Sequence, residues 1–189
     1  MANVKLISGS VEEPAKDWRT YPNFSPVFIV FGGPQVHGHS LFDTVAALAA
    51  ASPRMRMDYN FHSDPADNPH RFLNVLLRGT YIRPHRRSAP PKSESFLVLE
   101  GMADVILFDD EGAVTTRYRL GAESPEGRLW GVDISPGVWH TILARTRRVV
   151  CFEVKPGPWM ASNDKQFGIW APAESDPDAA AYCQALLDG

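Results

Sequence analysis

The stretch Gly79-Thr80-Tyr81-Ile82-Arg83-Pro84-His85-Arg86-Arg87, followed by Lys92-Ser93-Glu94 and closing at Gly101, decides how this chain is read. On an extended strand Tyr81, Arg83, His85 and Arg87 point the same way. A second stretch, Gly131-Val132-Asp133-Ile134-Ser135-Pro136-Gly137-Val138-Trp139-His140, carries a Pro-Gly turn that delivers His140 onto a new strand, on one side with Val138 and Ile142. Two imidazoles and a carboxylate that converge inside a folded sheet can hold a divalent metal and leave positions open for water or substrate.

Outward from these stretches the hydrophobic period is two. Met55, Met57, Tyr59 and Phe61 share one face, and Arg56, Asp58, Asn60 and His62 the other. Further strands are expected at 71–78, 80–87, 94–100, 102–108, 113–120, 128–134, 138–144 and 148–155, separated by turn signals such as Asp109-Asp110-Glu111-Gly112, Gly121 to Gly127 and Pro136-Gly137. Short, evenly spaced strands with no helical pattern between them argue for an all-β barrel or sandwich. Before them, Val27 to Phe31 reads as a strand ending at Gly32-Gly33-Pro34, and Ser40 as the cap of a helix with Asp43 at its third position. The chain closes on a helix that Asp176 can cap, with Pro177 at its first position, running to Leu187. The expected organisation is a polar N-terminal extension with a strand and a helix over 1–50, a barrel over 51–173 and a C-terminal helix over 174–189.

The totals limit the function. Nineteen basic residues face 22 acidic ones, for a net charge of -3, which gives no electrostatic reason to expect nucleic acid or an anionic membrane as a partner. The longest apolar runs, Pro26 to Phe31 and Val45 to Ala51, are far below the ~20 residues that span a bilayer, and the N-terminus has no signal-peptide pattern. A cytoplasmic protein is expected. Cys151 and Cys183 have no spacing that suggests a disulfide framework or a zinc knuckle. No Gly-x-Ser-x-Gly nucleophile motif or phosphate-cradling glycine loop is present.

The motif spacing resembles the cupin superfamily. That pattern runs Gly, five residues, His-x-His, a short spacer, Glu, six residues, Gly, with a later Pro-Gly, two residues, His. Here Gly79 precedes His85 by five intervening residues, Glu94 precedes Gly101 by six, and Pro136-Gly137 precedes His140 by two. Ser52-Pro53-Arg54, Asn60-Phe61-His62, Tyr81 to His85, Lys92-Ser93-Glu94, Trp139-His140-Thr141, Phe152-Glu153-Val154 and Trp170-Ala171-Pro172 further resemble the WbuC-type cupins. That family is classed as cupin-fold metalloproteins, often associated with bacterial polysaccharide gene clusters. The resemblance implies a double-stranded β-helix, a jelly-roll-like barrel with a short N-terminal and a C-terminal helix. It also implies a homodimer paired through its sheets. Two departures matter. Arg87 stands where the second His of His-x-His is expected, and six residues separate it from Glu94. A guanidinium has no lone pair for a metal and attracts the carboxylate instead.

Two readings of the pocket follow. In one, His85, Glu94 and His140 hold iron, zinc, manganese or nickel, Arg83 or Arg87 holds an anionic group of a small polar substrate, and Tyr81 or His62 shuttles a proton. Asn60 and Glu153 add substrate contacts, and the family association suggests a sugar or sugar nucleotide. In the other, Arg83 and Arg87 make a metal-free site for an anionic small molecule. A degenerate barrel kept for assembly alone is the third alternative.

Overall fold

In the computed structural model the described residues are 28–29, 37–121, 129–162 and 165–189. The N-terminal polar stretch, the Gly32-Gly33-Pro34 turn and the turn centred on 122–127 lie outside them. In chain order the elements are β1 (Phe28–Ile29), α1 (His39–Ala51), β2 (Arg56–Asn60), β3 (His70–Leu77), β4 (His85–Arg86), β5 (Glu94–Glu100), β6 (Ala103–Phe108), β7 (Val114–Leu120), β8 (Gly131–Ile134), β9 (Trp139–Ala144), β10 (Arg148–Lys155), β11 (Gln166–Phe167) and α2 (Ala179–Asp188).

The strands form two sheets, ordered β1-β2-β3-β10-β5-β8 and β11-β4-β9-β6-β7. Every pairing is antiparallel except β1 with β2. The chain crosses between the sheets repeatedly, so strands distant in sequence become neighbours. This is a double-stranded β-helix, a jelly-roll-like barrel, flanked by two short helices.

Alternation along each strand sorts the side chains into three cores. Leu76, Val98, Val105, Ile142, Val149 and Cys151 belong to the apolar packing between the sheets. On the outer face of the first sheet, Met57, Leu73, Val75 and Val150 pack on Phe42, Val45 and Ala49 of α1. On the outer face of the second, Ile106, Phe108, Trp139 and Leu143 pack on Ala179, Cys183, Leu186 and Leu187 of α2. Covering both outer faces gives even the outward residues of β3, β9 and β10 a dry partner, which explains their nearly continuous apolar character.

Several boundaries differ from the expectation. The strand expected over 80–87 is reduced to His85–Arg86. Thr80 turns to donate to the Arg54 carbonyl at 2.7 Å, and Pro84 has no amide hydrogen to give a ladder. Ser40 lies inside α1 rather than capping it; the Gly38 carbonyl accepts the first amides, from Leu41 and Phe42, both at 3.1 Å. Asp43 is engaged by Arg148 at 2.6 Å instead of folding back on the helix start. Asp176 accepts the Asp178 amide at 3.0 Å, and α2 begins two residues beyond Pro177. Among the described residues no helix is long and apolar enough to cross a membrane.

Candidate metal and ligand site

The two histidines are placed by pairing. β4 meets β9 with His85 directly opposite His140, and their ring centroids lie 4.6 Å apart. Each ring is fixed from behind in the same way: Nδ1 of His85 lies 3.0 Å from the Arg83 carbonyl, and Nδ1 of His140 lies 3.0 Å from the Val138 carbonyl. A carbonyl only accepts, so each Nδ1 carries the proton and each Nε2 presents a lone pair to the interior.

Glu94 comes from the facing sheet, at the start of β5. Strand alternation aims it inward with Phe96 and Val98. Its Oε2 lies 3.0 Å from Nε2 of His140 and 3.9 Å from Nε2 of His85. Its Oε1 accepts from Nη2 of Arg87 at 2.8 Å. The three potential ligand atoms lie within 4.8 Å of one another, and all three residues are buried. His140 and Glu94 are close but poorly aligned, so neither Nε2 nor Oε2 completes a hydrogen bond of good geometry.

The electrostatics follow from burial and from Arg87. Burial pushes the Glu94 carboxyl upward, but His140, whenever its Nε2 carries a proton toward the carboxylate, and the Arg87 guanidinium outweigh it and hold the group well below its ordinary range. For His85, burial comes first, followed by the repulsion of the Lys165 ammonium; together they hold the imidazole neutral. Arg87 thus leaves one carboxylate oxygen free and keeps it ionised.

The remaining candidates fall in different places. Glu153 is buried on β10, accepts from Nδ2 of Asn74 at 3.1 Å and lies 3.6 Å from Nζ of Lys155. Burial drives its carboxyl up to about 7; Lys155 opposes this, while Glu94 and Asp58 add to it. Asn60 sits opposite Phe72 on the inner face of the same sheet. His62 stacks on His70 at 4.0 Å, with its Nδ1 3.1 Å from the Arg71 carbonyl, and it is not among the residues whose ligand atoms converge.

Tyr81 and Arg83 do not join the group. Tyr81 faces α2, where its hydroxyl donates to the Pro172 carbonyl at 2.9 Å. Arg83 donates from Nη2 to the Gly168 carbonyl at 2.7 Å. Both were expected beside His85 on one strand face. The loss of extended geometry between Thr80 and Pro84 turns them away.

Sequence reasoning missed Asn74, Lys155 and Lys165. The first two had a readable signal: each continues the inward alternation of its strand at a polar residue. Lys165 had none, because β11 is only two residues long. Two surface concavities lie elsewhere, one outside β5 and β8 near Leu97 and Gly131, the other between α1 and the Gly101–Arg148 end of the barrel. Among the described residues, only the interior site gathers metal-ligating side chains.

A protein-family model described as a domain of unknown function, DUF6016, matches residues 38–120. That span includes His85 and Glu94 and ends before His140. No curated protein matches the chain. Among solved structures it is similar to the capsular polysaccharide assembling protein CapF of Staphylococcus aureus, at 20% identity over 54% of this chain, with a TM-score of 0.46. The match spans only 27% of CapF. It is also similar to a cupin 2 domain-containing protein of Halorhodospira halophila, at 20% identity over 69% of this chain and 77% of that one, with a TM-score of 0.42. The cupin domain of Schizosaccharomyces pombe Cnp3 follows at 13% identity, over 53% of this chain and 60% of that domain, with a TM-score of 0.41.

Proposed function

We propose that this cupin-fold protein holds a divalent metal through His85, His140 and Glu94 and acts as an enzyme on a small polar substrate in the space beside it. One observation carries the reading: two imidazoles and one carboxylate, all buried, each bring a ligand atom within 4.8 Å of the others, and neither Oε2 of Glu94 nor Nε2 of His140 has a hydrogen-bond partner. A divalent cation satisfies all three at once, and two imidazoles with one carboxylate are a fitting donor set for iron, zinc, manganese or nickel. When bound, such an ion polarises a substrate oxygen or acidifies a water. The Arg83 and Val138 carbonyls orient the imidazoles, and Arg87 orients and ionises Glu94. The motif set supports the WbuC-type grouping, and a sugar or sugar-nucleotide substrate belongs to the same proposal.

The Arg87–Glu94 pair favours a second reading, in which the carboxylate serves the guanidinium and the pocket binds an anion without metal. Elemental analysis of protein purified without chelator separates the two. Near-stoichiometric metal that disappears in Glu94→Ala supports the first. Metal-free protein that acquires an ion only as Arg87→His supports the second. The proposal includes a cytoplasmic homodimer, with Leu97, Leu99 and Trp130 as exposed apolar surface on one sheet; sedimentation of the full chain tests the pairing.

A further inference from the structure

The polar end of the barrel interior gathers three cations, while its carboxylates are Glu94, Glu153 and, opposite Asn74, Asp58. Arg87 is committed to Glu94 at 2.8 Å, and Lys155 stands 3.6 Å from Glu153. Lys165 is the third cation. It directly precedes β11, where Phe167 pairs with His85 and Gln166 with Arg86. One step further along the same register, Lys165 falls opposite Arg87, on the face that carries His85. Lys165 is exposed as a residue, yet crowding around its ammonium and repulsion from Arg87 and Lys155 bring it down to about 8. A stem in solvent at the rim and an ammonium turned inward satisfy both observations.

The same region holds an acceptor without a donor. Nδ2 of Asn74 is bonded to Glu153, while Oδ1 of Asn74 is buried and has no hydrogen-bond partner. Asn74 and Glu153 lie on adjacent strands of the first sheet, whose inner face also carries Glu94. The interior therefore offers an inward-turned cation at its rim and an unfilled acceptor on its wall. A ligand with an anionic group and a hydroxyl complements both.

We infer that Lys165 is the substrate-binding cation of this pocket, taking the carboxylate or phosphate of a small hydroxyl-bearing molecule, with Oδ1 of Asn74 accepting from that hydroxyl. This rests on the pocket reading above and narrows its ligand to anions.

The test uses the full chain at constant ionic strength, with inorganic phosphate, malonate and glucose as probes, followed by thermal shift. Phosphate or malonate is expected to raise Tm with saturation, and glucose to leave it unchanged. Lys165→Met is expected to weaken the anion response at least tenfold, and Lys165→Arg to retain it. A glucose response equal to that of the anions, no response to either anion, or a Lys165→Met titration matching the parent overturns the inference. Metal content measured on the same preparations keeps the two proposals apart. Parent protein without metal but with Lys165-dependent anion binding removes the metal reading alone. Metal-loaded protein whose anion response ignores Lys165 removes this inference alone.

Discussion

Nε2 of His140 stands 3.0 Å from Oε2 of Glu94, while its Nδ1 is already directed at the Val138 carbonyl. With Nδ1 protonated, two electron-rich atoms face each other across that gap unless a proton or a cation lies between them. Glu94→Gln keeps the shape and removes the charge. We expect divalent metal affinity to fall by at least about a hundredfold, at the upper end of what lesser second-sphere changes cost. Competition titration against a chromophoric chelator measures it.

Arg87 and Glu94 are both almost fully buried, with side chains 1% and 2% exposed. Removing one partner strands the other. Arg87→Met should destabilise the fold by about 3–5 kcal/mol, the usual cost of breaking a buried pair. Saturating divalent metal should restore part of that loss, because it supplies the positive charge Glu94 lost. Denaturant titration with and without metal reads both effects.

Glu153 predicts a pH dependence with a definite sign. Burial raises its folded-state value from 4.5 to about 7, so the folded protein binds this proton more tightly than the unfolded chain does. Its contribution is full below pH 4.5 and drains away as pH rises to about 7. Glu153→Gln cannot ionise. Its stability relative to the parent should therefore rise across that window, by up to roughly 3 kcal/mol at about 1.4 kcal/mol per pKa unit. Denaturant midpoints of both proteins at pH 4.5, 6 and 8 should diverge in that direction; parallel profiles would refute it.

Asp104 on β6 is fully buried and receives three guanidiniums, from Arg119 at 2.9 Å, Arg145 at 2.6 Å and Arg117 at 3.2 Å. Arg117 also donates to the Leu186 carbonyl at 2.7 Å, which ties the end of α2 to the sheet. Asp104→Ala should cost about 3 kcal/mol, the low end for a buried pair because the arginines are partly solvated. Limited proteolysis should reach the α2 segment before the barrel strands.

Gly101 has φ +80°, and an added Cβ would run into the Arg148 carbonyl and the Thr146 hydroxyl. Gly101→Ala should lose at least about 1–3 kcal/mol to backbone strain, before the collision is counted. Thermal denaturation of the variant checks this. The motif glycine is thus a requirement of the β5–β6 turn, at the end of β5 opposite to Glu94.

Much of the barrel was legible because alternation is local. β5 was expected at 94–100 and is Glu94–Glu100, and β10 was expected at 148–155 and is Arg148–Lys155. In both, a period of two assigns each side chain to a face without knowledge of the partner strand. The same logic failed at Tyr81 and Arg83, where one proline and one side-chain bond ended the extended geometry on which the parity argument depended.

The sequence by itself determined the strand pattern, the inward direction of Glu94, His140 and Glu153, and the presence of Arg87 where an imidazole is expected. Only the tertiary structure decided that Arg87 takes one oxygen of Glu94 and leaves the other to the histidines, that Asn74 keeps an unfilled acceptor, and that β11 sets Phe167 opposite His85. The physical reason is that parity is fixed by bonds along one strand, whereas charge pairing depends on distances across strands, which chain closure alone sets.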